Sequence, residues 1–162
     1  EYQNIGDRYR NVVGIFMNPL MQNKPLTIFG NGKQTRAFSY ISDVAPYIAG
    51  SVEVPEAYNN IFNIGADNAF SVNELAQGVM KAMNINGEIK YLPERNEVLH
   101  AYSDHSKFEK FFNINQSSYT SLEKGLSSMS KWVKSVGVRK SSNFNHIEIT
   151  KNLPSSWLLT EK

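Results

Sequence analysis

The chain has 162 residues, 17 Lys and Arg against 15 Asp and Glu, a formal net charge of +2, and no cysteine. The length suits one domain with a real core, the mild charge argues against a nucleic-acid or membrane surface, and a disulfide framework or thiolate metal site is excluded. No apolar run approaches the ~20 residues that cross a bilayer, and the polar start EYQNIGDRYR does not have the form of a signal peptide. The missing cysteines fit a reducing cytoplasm, and a start without methionine reads as a cut into a longer chain.

Residues 10–22 carry Val12, Val13, Ile15, Phe16, Leu20 and Met21, a buried-helix pattern disturbed at Pro19. LTIF at 26–29 reads as a strand that runs into Gly30-Asn31-Gly32, and FSYI at 38–41 as a second strand. Asp43 is placed to cap a helix reaching about residue 52, with Pro46 in its first turn, where a missing N–H does little harm. IFNIG at 61–65 reads as another strand. Over 71–84, Val72, Leu75, Ala76, Val79, Met80 and Met83 follow helical spacing, and Ser71 with Glu74 forms a capping box. EIKYL at 88–92 and LHAYS at 99–103 are further strand patterns. Asp104 is placed to cap a short helix through Phe108, Phe111 and Phe112. Thr120 with Glu123 opens the last helix, whose stripe is Leu122, Leu126, Met129, Val133 and Val136, and Gly137 stops it. Helices alternating with strands give an α/β class over residues 1–137. Residues 138–162 form a polar, mostly irregular tail with a strand-like HIEI at 146–149.

Catalytic signatures are scarce. No G-x-G-x-x-G follows a strand, no G-x-S-x-G is present, and His100, His105 and His146 are scattered without ligand spacing. The histidines read as surface or half-buried polar residues, and no metal is expected. The arginines carry more. Arg36 follows a Gly-x-Gly turn that lets backbone approach a ligand, and Arg95 in LPERNEV follows another strand end. Ligands of α/β sheets collect at the carboxyl ends of strands. Spacing alone leaves two readings open: a pair of forked contacts pinching a diphosphate, or two solvated surface charges.

The stretch PLTIFGNGKQTRAFSYISDVAPYI, followed in order by YNNIFNIGADNAFSVNELA, EVLHAYSDHSK and TSLEKGLSSMSKWVK, resembles the C-terminal half of the extended short-chain dehydrogenase/reductase family. These are the NAD-dependent nucleotide-sugar epimerases and dehydratases, and the nearest group is UDP-glucose 4-epimerase-like. The resemblance covers nearly the whole chain. It implies the substrate-binding part of a Rossmann-type enzyme that lacks most of the NAD-binding sheet. The family's other half holds the glycine fingerprint and a catalytic Tyr-x-x-x-Lys. No tyrosine here has a lysine four residues on, so NAD is expected in the intact parent and not on this fragment, which is expected to be inactive alone.

By the same resemblance Arg36 contacts the nucleotide diphosphate. Thr27 and Phe29 offer backbone groups to the uracil edge, and Asn11 and Val12 open a helix over the phosphates or, for Asn11, simply cap it. Arg95 and Glu97 match an arginine on phosphate and an acid on ribose. The family keeps two residues between them and this chain keeps one, so either the loop is shortened or Glu94 takes the arginine's slot. The implied partner is a UDP-sugar, and the implied chemistry is C4 epimerisation through a keto intermediate. The alternatives are a dehydratase or decarboxylase of the same family, a non-catalytic nucleotide-sugar module, and a purely structural domain. An orphaned apolar strand at 61–65 further suggests a homodimer.

Overall fold

Residues 3–7, 10–141 and 151 are described in the computed structural model. Along them run α1 (Val12–Leu20), β1 (Leu26–Phe29), β2 (Thr35–Ala37), α2 (Ile41–Gly50), β3 (Ala69–Ser71), α3 (Val72–Met83), β4 (Ile89–Leu92), β5 (His100–Ala101), α4 (Ser106–Phe112) and α5 (Leu122–Val136). Single 3-10 turns follow α2 at Ser51–Glu53 and Pro55–Ala57, and another precedes α5 at Gln116–Ser118.

The core lies where α1, α3 and α5 pack together. Leu75, Ala76, Val79 and Met83 of α3 are buried with Phe16, Met17 and Leu20 of α1 and Leu126 and Val133 of α5. Each large apolar side chain so buried contributes about 1.5–3 kcal/mol. The spacing of these residues is why α3 forms, and its start is fixed locally. Ser71 Oγ accepts the Glu74 N–H at 3.1 Å, and Glu74 Oε2 accepts the Ser71 N–H at 2.7 Å, the reciprocal arrangement that satisfies two otherwise orphaned donors. The other end turns on Asn84 in the left-handed region. Pro19 does not break α1 because it sits in the last turn, one residue before the helix ends.

β1 pairs in parallel with β4, Leu26 opposite Ile89 and Phe29 opposite Leu92. Its alternation is strict: Leu26 and Ile28 are buried in the helical core while Thr27 is exposed. A second sheet is built on β2, antiparallel to β3 and parallel to β5. A separate aromatic cluster joins Tyr47 of α2 to Phe108 and Phe112 of α4, and Phe62 to Phe111 and Phe112.

Several expectations need correction. FSYI at 38–41 is not a strand; the strand is Thr35–Ala37, and helix α2 already begins at Ile41. IFNIG at 61–65 is not a strand either. Its Phe62 ring lies 4.9 Å from Phe111, the Lys107 ammonium bonds the Ile61 carbonyl at 3.1 Å, and Asn63 Nδ2 donates to the Asp104 carbonyl at 3.2 Å. The segment is thus held to the 104–112 region by one lysine bond to its backbone, one side-chain bond from Asn63 and ring packing, in place of a neighbouring strand. Asp43 does not cap α2, whose N-cap is Tyr40. Its carboxylate instead accepts the Thr120 N–H at 2.8 Å and the Thr120 hydroxyl at 3.1 Å. Thr120 is thereby taken, and Ser121 caps α5. His105 rather than Asp104 is the N-cap of α4, although Asp104 Oδ1 accepts the Ser106 N–H at 2.9 Å. The strand-like HIEI at 146–149 and His146 lie outside the described residues.

Candidate functional site

Beyond β1 the chain must reverse quickly into β2, and two glycines make this possible. Gly30 and Gly32 have φ of 68° and 72°, the left-handed region that side chains rarely adopt. At Gly32 a Cβ would also overlap the Asn73 side chain. Asn73 Nδ2 donates to the Asn31 carbonyl at 3.0 Å, and its N–H donates to the Gly32 carbonyl at 3.1 Å. The close approach that demands glycine at 32 is therefore made by the first turn of α3, not by a ligand.

The turn delivers Gln34 and Arg36 to one place. Gln34 is buried, and its Nε2 donates to the Phe29 carbonyl at 3.0 Å and to Glu97 Oε1 at 3.1 Å. Arg36 donates from Nη1 to the carbonyls of Thr35 at 2.7 Å and Leu99 at 3.3 Å, and from Nη2 to that of Val98 at 2.7 Å. Its Nη2 also lies 3.6 Å from Glu97 Oε2. Arg95 Nη2 reaches the same Glu97 oxygen at 3.1 Å, and its guanidinium lies over the Phe29 ring, 4.4 Å from the centroid. This is a favourable cation–π position. The side chains of Arg36, Arg95 and Glu97 are 29%, 32% and 20% exposed. Both cations are thus half-buried yet within reach of solvent, and they share one carboxylate.

Phe29 ties this cluster to β1. The N–H groups of Leu26 and Gly30 donate towards β4, to Glu88 and Leu92. Alternation then turns the backbone groups of Thr27 and Phe29 to the other edge of the strand. The described sheet places no further strand on that edge, and Gln34 occupies the Phe29 carbonyl there.

Of the residues singled out from sequence, Arg36, Arg95, Glu97 and Phe29 are brought together, with Thr27 on the adjoining edge. The shortened Arg95–Glu97 spacing still lets the two side chains pair directly. Asn11 is the N-cap of α1 in the left-handed region, without a side-chain cap bond, and no acid lies in the first turn that Val12 begins. Among the described residues neither Asn11 nor Val12 shares a hydrogen bond with the arginine cluster. Gln34 was missed. Its signal is a polar residue at a fixed Gln-x-Arg spacing just past the turn.

Two other features lie apart. A cleft of about 740 Å³ opens between residues 38–42 and the start of α5, lined by Phe38, Tyr40, Leu122 and Met129 among others, and by none of Arg36, Arg95, Glu97, Asn11, Val12, Thr27 and Phe29. His105 is buried, contrary to the surface or half-buried expectation, and its Nδ1 lies 2.5 Å from Asp67 Oδ1. Among the described residues no helix is long and apolar enough to cross a membrane.

Residues 2–65 match the model of the NAD dependent epimerase/dehydratase family. The chain is 32% identical over 124 residues to a putative UDP-glucose 4-epimerase of Methanocaldococcus jannaschii, covering 76% of this chain and 39% of that one. It is 24% identical over 135 residues to a UDP-N-acetyl-alpha-D-glucosaminuronate decarboxylase of Bacillus cytotoxicus, covering 79% and 41%. Among solved structures it is similar to the UDP-glucose 4-epimerase of Thermotoga maritima with UDP-glucose, at a TM-score of 0.66 and 25% identity over 81% of this chain and 42% of that one. The chain thus spans about two fifths of the length of these two relatives. The mixed α/β fold is that of Rossmann-type epimerases of the extended short-chain dehydrogenase/reductase group.

Proposed function

We propose, from the chain's kinship with the NAD-dependent nucleotide-sugar epimerases and dehydratases, that residues 1–137 form the part of such an enzyme that binds a UDP-sugar. The observation that carries the reading is the convergence of Arg36 and Arg95 beside the open edge of β1. In this reading the two guanidiniums face the diphosphate, where charge-assisted contacts are the strong ones. The backbone of Thr27 and the N–H of Phe29 face the base, Glu97 faces the ribose, and the start of α1 at Asn11 and Val12 turns helix N–H groups to the phosphate side. The support is geometric for the first five residues and comes from resemblance for the last two.

These residues do not fit a dinucleotide cofactor. The two left-handed glycines lead into β2, not into a helix N-terminus, so the turn is no pyrophosphate cradle. No step is therefore routed through NAD on this chain. Epimerisation at C4 through a keto sugar is proposed for the whole enzyme, with NAD and the tyrosine base held outside these 162 residues, which alone turn nothing over. The decarboxylase relatives keep a decarboxylase or dehydratase reading in play.

A homodimer belongs to the same proposal, on a changed footing. Exposed large apolar residues among the described ones include Ile41 and Ile48 of α2, with Val52 and Ile61 beyond it, and these suit burial against a second copy better than solvent. Calorimetric titration of the full chain with UDP and with uridine tests the binding reading.

A further inference from the structure

Glu97 is held at three points, and the three are unequal. Oε1 is bound by Gln34, which is itself buried and fixed to the Phe29 carbonyl. Oε2 is shared between Arg95 at 3.1 Å and Arg36 at 3.6 Å. The Gln34 contact is an anchor. The arginine contacts are partly solvated and belong to side chains 29% and 32% exposed, so they are the weaker and more exchangeable pair.

Arg36 has little donor capacity left. Both terminal nitrogens are engaged, with three backbone carbonyls and Glu97 as their partners. Among the described residues its one negatively charged partner is Glu97. The three carbonyls lie on β2 and on residues 98–99, and they stay with the fold. A second anion approaching Arg36 Nη2 meets the Glu97 oxygen first, and two anions on one guanidinium edge repel one another. Residues 93–98 form no helix or strand, so no ladder of backbone bonds holds that segment against a rotation of the Glu97 side chain.

We propose that Glu97 is a displaceable counter-ion: its carboxylate and an incoming diphosphate compete for the guanidiniums of Arg36 and Arg95, while Gln34 holds the released side chain beside the site. The inference rests on the reading of this cluster as a diphosphate site and adds a competing internal anion to it. The internal carboxylate holds the arginines in a fixed, half-neutralised arrangement and sets the anion's affinity below what two unopposed arginines give. Glu97 is then a positioning residue whose net effect on anion affinity is negative.

The test is calorimetric titration of the full chain and its Glu97→Gln variant with inorganic pyrophosphate and with UDP, at fixed ionic strength. Glutamine keeps the shape and can still accept from Gln34, but it no longer competes as an anion. The expected result is pyrophosphate binding about three- to fivefold tighter in Glu97→Gln, the scale of a partly exposed ion pair. Equal or weaker pyrophosphate binding by the variant, with wild type binding both probes, overturns the inference and leaves the site reading standing. Failure of both proteins to bind either probe overturns the site reading and the inference with it. An independent readout needs no variant: the Glu97 carboxyl carbon signal in wild-type protein moves on saturation with pyrophosphate, and a stationary signal under saturating binding overturns the exchange.

Discussion

Asp43, in the first turn of α2, holds Thr120, just before α5, by two hydrogen bonds of 2.8 and 3.1 Å to its N–H and its hydroxyl. One carboxylate thus joins two helices across 77 residues of sequence. Asp43→Ala is expected to cost about 1.5–3 kcal/mol, the usual range for bonds to a charged group. Urea unfolding checks this: the midpoint falls while the slope is unchanged. A midpoint within error of wild type would mean that water replaces Asp43 at no cost.

Gly32 and Gly50 give a contrasting pair. Gly32 combines a φ of 72° with a side chain in the way, whereas nothing lies within 4 Å of a Cβ at Gly50, the last residue of α2. Gly32→Ala is expected to destabilise by at least ~1–2 kcal/mol, the left-handed penalty alone. Gly50→Ala is expected to be neutral or to stabilise by up to ~1 kcal/mol through the unfolded chain. Thermal melts of the two variants, read side by side, decide it.

The capping box predicts a pH effect with a definite sign. The Ser71 hydroxyl, and then the Ser71 N–H, hold the Glu74 carboxyl below its ordinary value. A depressed carboxyl stabilises the fold above the unfolded-chain value, and that contribution is lost as pH falls through the folded one. A carboxyl-carbon titration by NMR is expected to place Glu74 below an unfolded-peptide glutamate, and Ser71→Ala to move it upwards.

What the sequence showed plainly was local. Ser71, Glu74 and the apolar stripe of α3 lie within one element, so their pattern is complete in a short window, and LTIF marks a strand because its neighbours on both faces differ so sharply. What it hid was long-range. Ile61, Phe62 and Ile64 have a strand's composition, yet Phe62 is satisfied by Phe111 and Phe112, some fifty residues on, and no periodicity reports that. Asp43 has the sequence setting of a cap because its partner, Thr120, is more distant still, 77 residues on. At the site the arginines were legible from the turn and strand ends, and the links between them were not. Gln34 and Glu97 meet across 63 residues, and only the fold shows that one glutamine joins β1 to the carboxylate that both cations share.

The exposed apolar residues on and beyond α2 predict self-association. Light scattering behind a sizing column is expected to give a dimer at micromolar concentration. Ile48→Glu, on an exposed residue of α2, is expected to shift it to monomer without lowering thermal stability. A wild-type monomer at high micromolar concentration would remove the dimer from the proposal.

The most direct measurement of the central claim is the difference in affinity between UDP and uridine, in wild type and in Arg36→Ala. If Arg36 and Arg95 bind the diphosphate, wild type prefers UDP clearly, and Arg36→Ala weakens UDP by about 1.5–3 kcal/mol, roughly ten- to 150-fold, with a much smaller change for uridine. Equal affinities for UDP and uridine in wild type, or an unchanged UDP constant in Arg36→Ala, would contradict the account and leave the arginine as a staple between β2 and residues 97–99.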